Sequence, residues 1–293
     1  MAPRVLPKIK GLEVRPGQGS AFAVETPSAM PKAHMNALIV GCRGSGKTTA
    51  CVNLLEKLKV FDFVICLSPT MASNADLMAR LPVEHVYQDL DDPCIVDKVK
   101  AIVEAEAADL DRFREQMKRW RALFETRRNP VFDDDLLLEF FDGNGFQKPK
   151  HRWGGRPPVI AVIVDDGLGS ALFSKPRKIT NLAILHRHVG QLSEGGAIGV
   201  SLFFLVQSYK TQVGGLPKTI RGNATLLILF RTKSCRELDD IAEELACEIE
   251  KDKFLAVFEH AIKEPHDFLM VDLFCKPWHP SVFRRNFDQF ILP

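Results

Sequence analysis

One eight-residue pattern near the amino terminus constrains the fold of this chain more than any other feature. The pattern is Gly41-Cys42-Arg43-Gly44-Ser45-Gly46-Lys47-Thr48, a complete match to the phosphate-binding loop G-x-x-x-x-G-K-[ST]. A short apolar run, Ala37–Val40, precedes it, and a stretch of helical character, Thr49–Leu58, follows it. A glycine-rich turn between a strand and a helix lets backbone N–H groups close around phosphate oxygens. The pattern therefore predicts an α/β fold with a nucleoside-triphosphate site at the start of this helix.

The positions of the loop have different predicted roles. We expect Lys47 to reach the β- and γ-phosphates and Thr48 to offer its hydroxyl to Mg²⁺. The other predicted nucleotide-binding positions are Gly41, Cys42, Arg43, Gly44, Ser45, Gly46 and Thr49. ATP and Mg²⁺ are the predicted cofactors.

Composition limits the class of protein. The 293 residues are 46% hydrophobic and 26% charged, which is ordinary for a folded chain. The formal net charge is only +2, so a nucleic-acid contact would depend on local basic patches. Seven scattered cysteines without a C-x-x-C pattern favour reduced thiols. No apolar run is long enough to span a membrane, and the first residues lack the apolar core of a secretory signal, so we expect an intracellular protein.

The chain divides unevenly along its length. Residues 1–33 contain five prolines and little periodicity, which predicts an extended, mildly basic arm. This arm is either a solvated tail or a contact with DNA or with another subunit. Residues 34–293 are predicted to form a single domain.

Residues 92–157 are predicted to be an insertion in that domain. A long helix is expected from about Asp92 to Thr126, because apolar residues recur on one face at three- and four-residue spacing. This apolar stripe is Leu110, Phe113, Met117, Trp120 and Phe124. The opposite face is basic and comprises Arg112, Arg114, Lys118, Arg119 and Arg121. It is either a solvated charged surface or a surface that binds phosphates or a partner protein.

The second half of the insertion is a glycine- and proline-rich loop. Its basic residues flank an aromatic residue, Trp153, which could stack on or wedge into a nucleic acid. The alternative is a plain connection between core elements.

Two adjacent acids follow a buried strand. The apolar run Val159–Val164 ends in Asp165 and Asp166, at the strand end where ligands bind in open α/β sheets. We assign Asp165 to Mg²⁺ and expect Asp166 to orient or deprotonate the attacking water. Glutamate is usual in the second role, and the aspartate has a shorter reach.

Further candidate residues lie downstream. Gln207 ends the predicted strand Ile198–Val206, where a polar side chain can sense the γ-phosphate. Leu216–Gly222 predicts a helical turn that carries Arg221. Ser234 and Glu237 fit a capping box at the start of another helix.

Four stretches in this order resemble a known family. They are Gly41–Thr48, Val159–Asp166, Arg187-His188, and Leu202–Asn223 with its Leu-Pro-Lys-x-Ile-Arg-x-Asn segment. The sequence resembles the DNA-packaging ATPases of large eukaryotic DNA viruses, the poxvirus type included, and their relatives among virophages and polinton-like elements. This family belongs to the FtsK/HerA superfamily of DNA-pumping motors. The resemblance covers roughly residues 36–231 and leaves out the insertion and both ends of the chain.

The resemblance implies a RecA-like P-loop NTPase core with a mostly parallel central sheet flanked by helices. It implies a homo-oligomeric ring of five or six subunits that moves double-stranded DNA without sequence preference. An arginine from the neighbouring subunit would stabilise the transferring phosphoryl group; Arg221 and Arg187 are the candidates, with Arg221 preferred. A capsid or portal-vertex protein is the implied further partner, and the cytoplasm of an infected cell (the virus factory) or the virion is the implied location.

Two other functions fit the phosphate loop. A nucleoside or nucleotide kinase would need an acceptor site and an arginine-rich lid, which the basic helix could imitate. A GTPase-type switch is suggested by Asp166-Gly167-Leu168-Gly169, which imitates D-x-x-G, but the chain has no Asn-Lys-x-Asp motif to read guanine.

Overall fold

The fold is built around one large sheet with helices on both faces. The computed structural model describes residues 22–125, 138–210, 216–232, 234–245 and 249–293. Within these ranges the sheet has nine strands: β1 Asn36–Val40, β2 Phe63–Leu67, β3 Val83–Tyr87, β4 Ile160–Asp165, β5 Val200–Val206, β6 Leu226–Phe230, β7 Phe268–Asp272, β8 Phe283–Arg285 and β9 Gln289–Ile291. Their order across the sheet is β3-β2-β4-β5-β1-β6-β7-β8-β9. Strands β1 to β6 run parallel, and β7, β8 and β9 each pair antiparallel with the strand before them.

Most of the helices cross over between the parallel strands, and the last two connect β6 to the antiparallel β7. In the described ranges they are α1 Lys47–Leu58, α2 Ala75–Met78, α3 Ile95–Trp120, α4 Ala171–Ser174, α5 Arg177–Leu185, α6 Lys218–Gly222, α7 Cys235–Glu244 and α8 Lys251–Ala261. Short 3-10 turns cover Met71–Asn74 and His186–His188, and a π-helical turn, Arg121–Glu125, extends α3. No helix of this described part combines the length and apolar character needed to cross a membrane.

The central strands are buried on both faces because each face packs against helices. In β1, Leu38 and Val40 join the core layer that contains α3, α5 and α8, whereas Ala37 and Ile39 join the layer that contains α1. Every residue of β1, β2, β4 and β5 is buried. Continuous apolar runs of this kind are typical of parallel sheets covered on both sides.

The strand order places the predicted site residues side by side. β5 lies between β1, which leads into the phosphate loop, and β4, which ends in the acids. Val40 is in register with Val206, and Asp165 with Leu205. The carboxyl ends of three neighbouring strands therefore meet at one edge. This topology confirms the predicted P-loop NTPase fold with a mostly parallel sheet.

The prediction of an insertion at 92–157 needs correction for the first half of α3. Ile95, Val99 and Val103 are fully or almost fully buried in the main core, and Leu110 is as well. This half of α3 is therefore the crossover helix between β3 and β4. Beyond Leu110, Phe113 still packs against this core and Met117 is buried, and residues 126–137 lie outside the described ranges.

The apolar stripe of α3 packs within its own chain. Phe113 contacts His151 with ring centroids 5.2 Å apart, and Trp120 contacts Phe140 at 5.4 Å. Trp153 does not stand free for a nucleic acid. Its ring stacks on Phe63 at 5.9 Å, and its indole N–H donates to Glu106 over 2.7 Å. Trp153 is therefore a packing residue, and its predicted role in stacking on or wedging into a nucleic acid is not supported.

The basic face of α3 is offset by acids. Arg114 and Lys118 both pair with Glu194, Arg112 pairs with Asp109, and Arg119 pairs with Glu139. In the following loop, Arg156 forms a bidentate pair with Asp62 and Lys148 pairs with Glu125. These pairs favour the solvated charged surface over a phosphate-binding face.

The carboxyl-terminal residues hold the end of the arm, of which residues 22–33 are described. Lys276 Nζ donates to the carbonyl oxygens of Thr26 and Pro27 at 3.0 and 2.7 Å. Arg284, only 1% exposed, donates to the carbonyl oxygen of Ala29. His279 Nε2 lies 2.7 Å from the carbonyl oxygen of Ser28. We call this arrangement the arm–tail clasp.

Candidate nucleotide site

The phosphate loop turns tightly between β1 and α1. Gly44 and Gly46 have φ angles of 77° and 103°, in the left-handed region that glycine adopts without strain. A Cβ on Gly41 would lie 2.6 Å from Ser45 Oγ and 2.7 Å from Phe230 Cβ. The sequence pattern is therefore matched by a backbone that tolerates only glycine at these positions.

Lys47 is held inside the loop. Its Nζ donates to the carbonyl oxygens of Gly41 and Cys42 at 2.8 and 3.1 Å. Burial lowers the pKa of Lys47, and the nearby charges of Asp165 and Asp166 oppose that shift. The ammonium group is thus a desolvated cation with few partners, which suits it to bind the oxygens of a triphosphate.

Thr48 and Asp165 form the pair predicted to bind Mg²⁺. Thr48 Oγ1 donates to Asp165 Oδ2 over 3.3 Å. Burial, and secondarily the charge of Asp166, raise the pKa of Asp165 to about 6. A hydroxyl and a buried carboxylate are hard oxygen ligands of the kind Mg²⁺ prefers, together with phosphate oxygens and water. The two residues therefore fit the ion, which would lower the pKa of Asp165 when bound.

Asp166 is exposed at the edge of the same site. Its backbone is left-handed, with φ of 50°, which is uncommon for aspartate and typical of sites under functional constraint. Gln207 Nε2 donates to one carboxylate oxygen over 3.2 Å, and Thr70 Oγ1 donates to the other over 3.4 Å. The acid is therefore oriented from two sides while its face toward the cavity stays open.

Thr70 is a site residue that sequence reasoning missed. Residues 68–70 follow β2 and match no nucleotide-binding motif. The parallel pairing of β2 with β4 brings this strand end beside Asp166. A hydroxyl residue just beyond a strand next to the acid strand was the available signal.

These residues line one cavity of about 930 Å³ at the carboxyl edge of the sheet. This volume is at the upper end of the range for small-molecule sites. The described residues around it are Arg43, Gly44, Gly46, Lys47, Thr48, Thr49, Ala50, Asn53, Thr70, Ser73, Asn74, Leu77, Asp165, Asp166, Gln207, Phe230, His266 and Phe268. The structure thus brings together most of the predicted loop residues with Asp165, Asp166 and Gln207.

The flank of the cavity on the antiparallel side was also missed. Phe230 ends β6, and His266 and Phe268 lie at the start of β7. Their long distance from the phosphate loop in sequence gave no signal. The antiparallel pairing of Phe230 with Phe268 brings these residues beside the loop.

The two candidate arginines lie elsewhere. Arg221 is 9% exposed and pairs with Glu244 over 2.9 Å, and its guanidinium also donates to the carbonyl oxygen of Leu216. It packs 5.2 Å from the ring of Tyr209. Arg187 is exposed and lines a second cavity with the residues that precede β1 and β6. Neither arginine lines the nucleotide cavity of its own chain.

A network of hydrogen bonds fixes the chain after Gln207. Glu237 Oε1 accepts from Ser208 Oγ at 2.8 Å and from the backbone N–H of Tyr209 at 2.6 Å. Its Oε2 accepts from Thr232 Oγ1 at 2.7 Å. Ser234 Oγ accepts from the N–H of Glu237, as the capping pattern predicted. Residues 211–215, which follow this segment, lie outside the described ranges.

Comparisons with known proteins give matches in structure only. No family model matches the sequence, and no curated protein matches it. The chain is similar to the crystal structure of B204, the DNA-packaging ATPase from Sulfolobus turreted icosahedral virus, with 15% identity over 84% of this chain and 99% of that one, at a TM-score of 0.46. It is similar to B204 from Sulfolobus turreted icosahedral virus 2 in complex with ATP-gammaS, with 15% identity, 85% and 95% coverage, and a TM-score of 0.43. The chain is also similar to the conjugation coupling protein TcpA of pCW3, with 16% identity over 87% of this chain and 61% of that one, at a TM-score of 0.43. These likenesses concern the fold.

Proposed function

We propose that this chain is an ATPase that drives double-stranded DNA into a viral capsid. One observation carries the hydrolase part: Asp165, paired with Thr48, and Asp166, held by Gln207, sit together at the mouth of an intact phosphate loop. The Leu-Pro-Lys-x-Ile-Arg-x-Asn segment and its resemblance to packaging ATPases support the DNA part.

The proposed hydrolysis divides the work among the residues of the site. Lys47 and the loop N–H groups bind the β- and γ-phosphates, and Thr48 and Asp165 hold Mg²⁺. The ion, when bound, offsets charge on the phosphates. Asp166, positioned by Gln207 and Thr70, orients a water molecule and takes its proton as the water oxygen attacks the γ-phosphorus. The bond from this phosphorus to the bridging oxygen breaks, and ADP leaves.

The structure changes which arginine we favour for the neighbouring subunit's site. Arg221 is buried and bonded to Glu244, so that its use in trans would break an intrachain ion pair. Arg187 is exposed and has no ion pair in the described ranges. It precedes β5 at the amino edge of the sheet, and the seven residues of β5 span about 23 Å toward the edge that carries the phosphate loop. We therefore propose Arg187 as the residue that completes a neighbour's site in a ring of five or six subunits.

The DNA contact in this proposal is mainly to phosphates. Such binding is independent of sequence and weakens steeply with salt. The motor would act with a capsid or portal-vertex protein, in the cytoplasm of an infected cell or in the virion.

The test is ATP hydrolysis with and without duplex DNA across a range of salt. We expect DNA to stimulate hydrolysis, with stimulation lost as salt rises. Lys47→Ala is the control, because it should abolish hydrolysis under both conditions. A hydrolysis rate that duplex DNA leaves unchanged at every salt concentration would contradict the proposed DNA translocation. Phosphate transfer to a nucleoside or nucleotide would favour the alternative function of a kinase.

A further inference from the structure

The order of strands indicates which side of the cavity would take the γ-phosphate and which side would take the nucleoside. Across the sheet, the acids lie at the end of β4, Gln207 follows β5, the phosphate loop follows β1, and Phe230 ends β6. The γ-phosphate belongs at the side of the acids. The nucleoside must then lie on the other side of the loop, toward β6 and β7.

His266 is an exposed polar residue that lines the cavity on that side. It precedes β7 and has a left-handed backbone, with φ of 67°. Its Nδ1 lies 3.1 Å from the carbonyl oxygen of Ser45 in the phosphate loop. A Cβ on Gly46 would lie 3.6 Å from this nitrogen and 3.6 Å from Phe230 Cε1. The histidine therefore stands directly against the phosphate loop.

The turn that carries His266 is braced from behind. Asp267 accepts from Arg285 at 2.6 Å and from Asn286 at 2.8 Å. It also accepts from the backbone N–H of Glu264 over 3.1 Å. This bracing holds the strained backbone of His266 in place, as expected for a side chain whose position matters.

The contact with Ser45 fixes the chemistry of the ring. A carbonyl oxygen only accepts, so Nδ1 must carry the hydrogen. In the neutral imidazole the other nitrogen, Nε2, is then an acceptor, and it has no hydrogen-bond partner within the described residues. His266 Nε2 is therefore available as an acceptor at the nucleoside side of the site.

We propose that His266 selects a nucleotide whose base carries an amino group at C6, and so adenine over guanine, whose amino group is at C2. The amino group at C6 of adenine donates to Nε2, whereas guanine presents a carbonyl oxygen there and two acceptors would oppose each other. A mismatch of this kind commonly costs a factor of about 10 or more in affinity. This inference rests on the proposed nucleotide site but not on DNA translocation.

The test measures binding of non-hydrolysable ATP, GTP and ITP analogues in the absence of DNA. We expect the wild-type protein to bind the ATP analogue about 10-fold more tightly than the other two. His266→Ala should bring the three affinities within about 2-fold of one another, chiefly by lowering the affinity for the ATP analogue. His260→Ala, an exposed histidine on α8 outside the cavity, is the matched control and should keep the preference.

Three results would overturn the inference. They are a wild-type protein that does not discriminate, a preference that survives in His266→Ala, and an equal loss of affinity for all three nucleotides in that variant. The last would mean that the histidine only braces the loop. If the variant does not fold, the wild type is compared with a purine nucleotide that lacks the amino group, and equal binding of that nucleotide and ATP overturns the inference. DNA stimulation is measured separately, so the two proposals fail in distinguishable ways.

Discussion

Gln207 Nε2 donates to Asp166 Oδ1 across 3.2 Å and so joins the ends of two adjacent strands, β5 and β4. This bond places an amide beside the carboxylate proposed to activate water. In the proposed site a γ-phosphate would compete for the same amide, because its oxygens are strong acceptors. We propose that this competition distinguishes ATP from ADP.

Gln207→Ala should lower kcat by about 10-fold to 100-fold, because Asp166 loses one of the two groups that orient it. Nucleotide affinity should change little, since Lys47 and the loop remain. Steady-state rates together with the affinity for an ATP analogue check this expectation. Asp166→Asn sets the lower limit of the rate. Loss of affinity with kcat unchanged would contradict the orienting role.

Asp165→Asn should stabilise the nucleotide-free protein while abolishing hydrolysis. The pKa of Asp165 is raised from 3.8 to about 6, so the folded protein binds the extra proton between these values. The free energy of unfolding therefore falls as pH rises from about 4 to about 6, by up to ~3 kcal/mol for this group. Asparagine does not ionise, so the Asp165→Asn variant does not lose this part of the free energy of unfolding as pH rises.

Unfolding in denaturant at pH 4.5 and pH 7.5 measures the effect. The stabilisation by Asp165→Asn should be larger at pH 7.5 than at pH 4.5. Asp252→Asn is a suitable control, because that carboxylate is exposed on α8 and does not line the nucleotide cavity. An equal effect at both values would show that the buried charge is not the cause.

Arg187→Ala and Arg221→Ala should behave differently. Arg187→Ala should lower DNA-stimulated hydrolysis by about 10³-fold or more, as for other arginines supplied in trans, and leave thermal stability unchanged. Arg221→Ala should destabilise the fold by about 1–3 kcal/mol, because the ion pair with Glu244 and the buried hydrogen bond to the carbonyl oxygen of Leu216 are lost. Mixing Arg187→Ala subunits with Lys47→Ala subunits should restore part of the activity. No recovery on mixing, with both variants assembled, would contradict the role in trans.

Glu237→Gln should reduce kcat without reducing nucleotide affinity. The carboxylate fixes Ser208 and Tyr209, the two residues that directly follow Gln207. We expect a loss of about 3-fold to 30-fold, comparable to that of a residue that positions a catalytic group. Asp239 lies on the same helix as Glu237 and forms a surface ion pair with Lys251. Asp239→Asn removes this ion pair and should leave kcat unchanged. Parallel losses in the two variants would indicate a general disturbance of α7.

The sequence predicted best what is local. The phosphate loop, the strands around it and the two acids follow from short patterns, because strand, turn and helix preferences act over neighbouring residues. The capping of α7 by Ser234 followed in the same way.

Contacts made by pairing distant strands were not predictable in this way. Thr70 and His266 reach the site only because β2 lies beside β4 and β7 lies beside β6. The ion pairs of Arg221 and the stacking of Trp153 likewise depend on partners far along the chain. A basic or aromatic residue therefore suggested a nucleic-acid contact until its partner was known.

The arm–tail clasp brings two distant parts of the polypeptide to one place. Residues 26–29 are held by side chains of 276–284, chiefly through backbone carbonyl oxygens, so the grip does not depend on the side chains of the arm. A peptide linker between these segments, with a new opening cut in an exposed loop, should therefore yield a circularly permuted enzyme with an intact sheet.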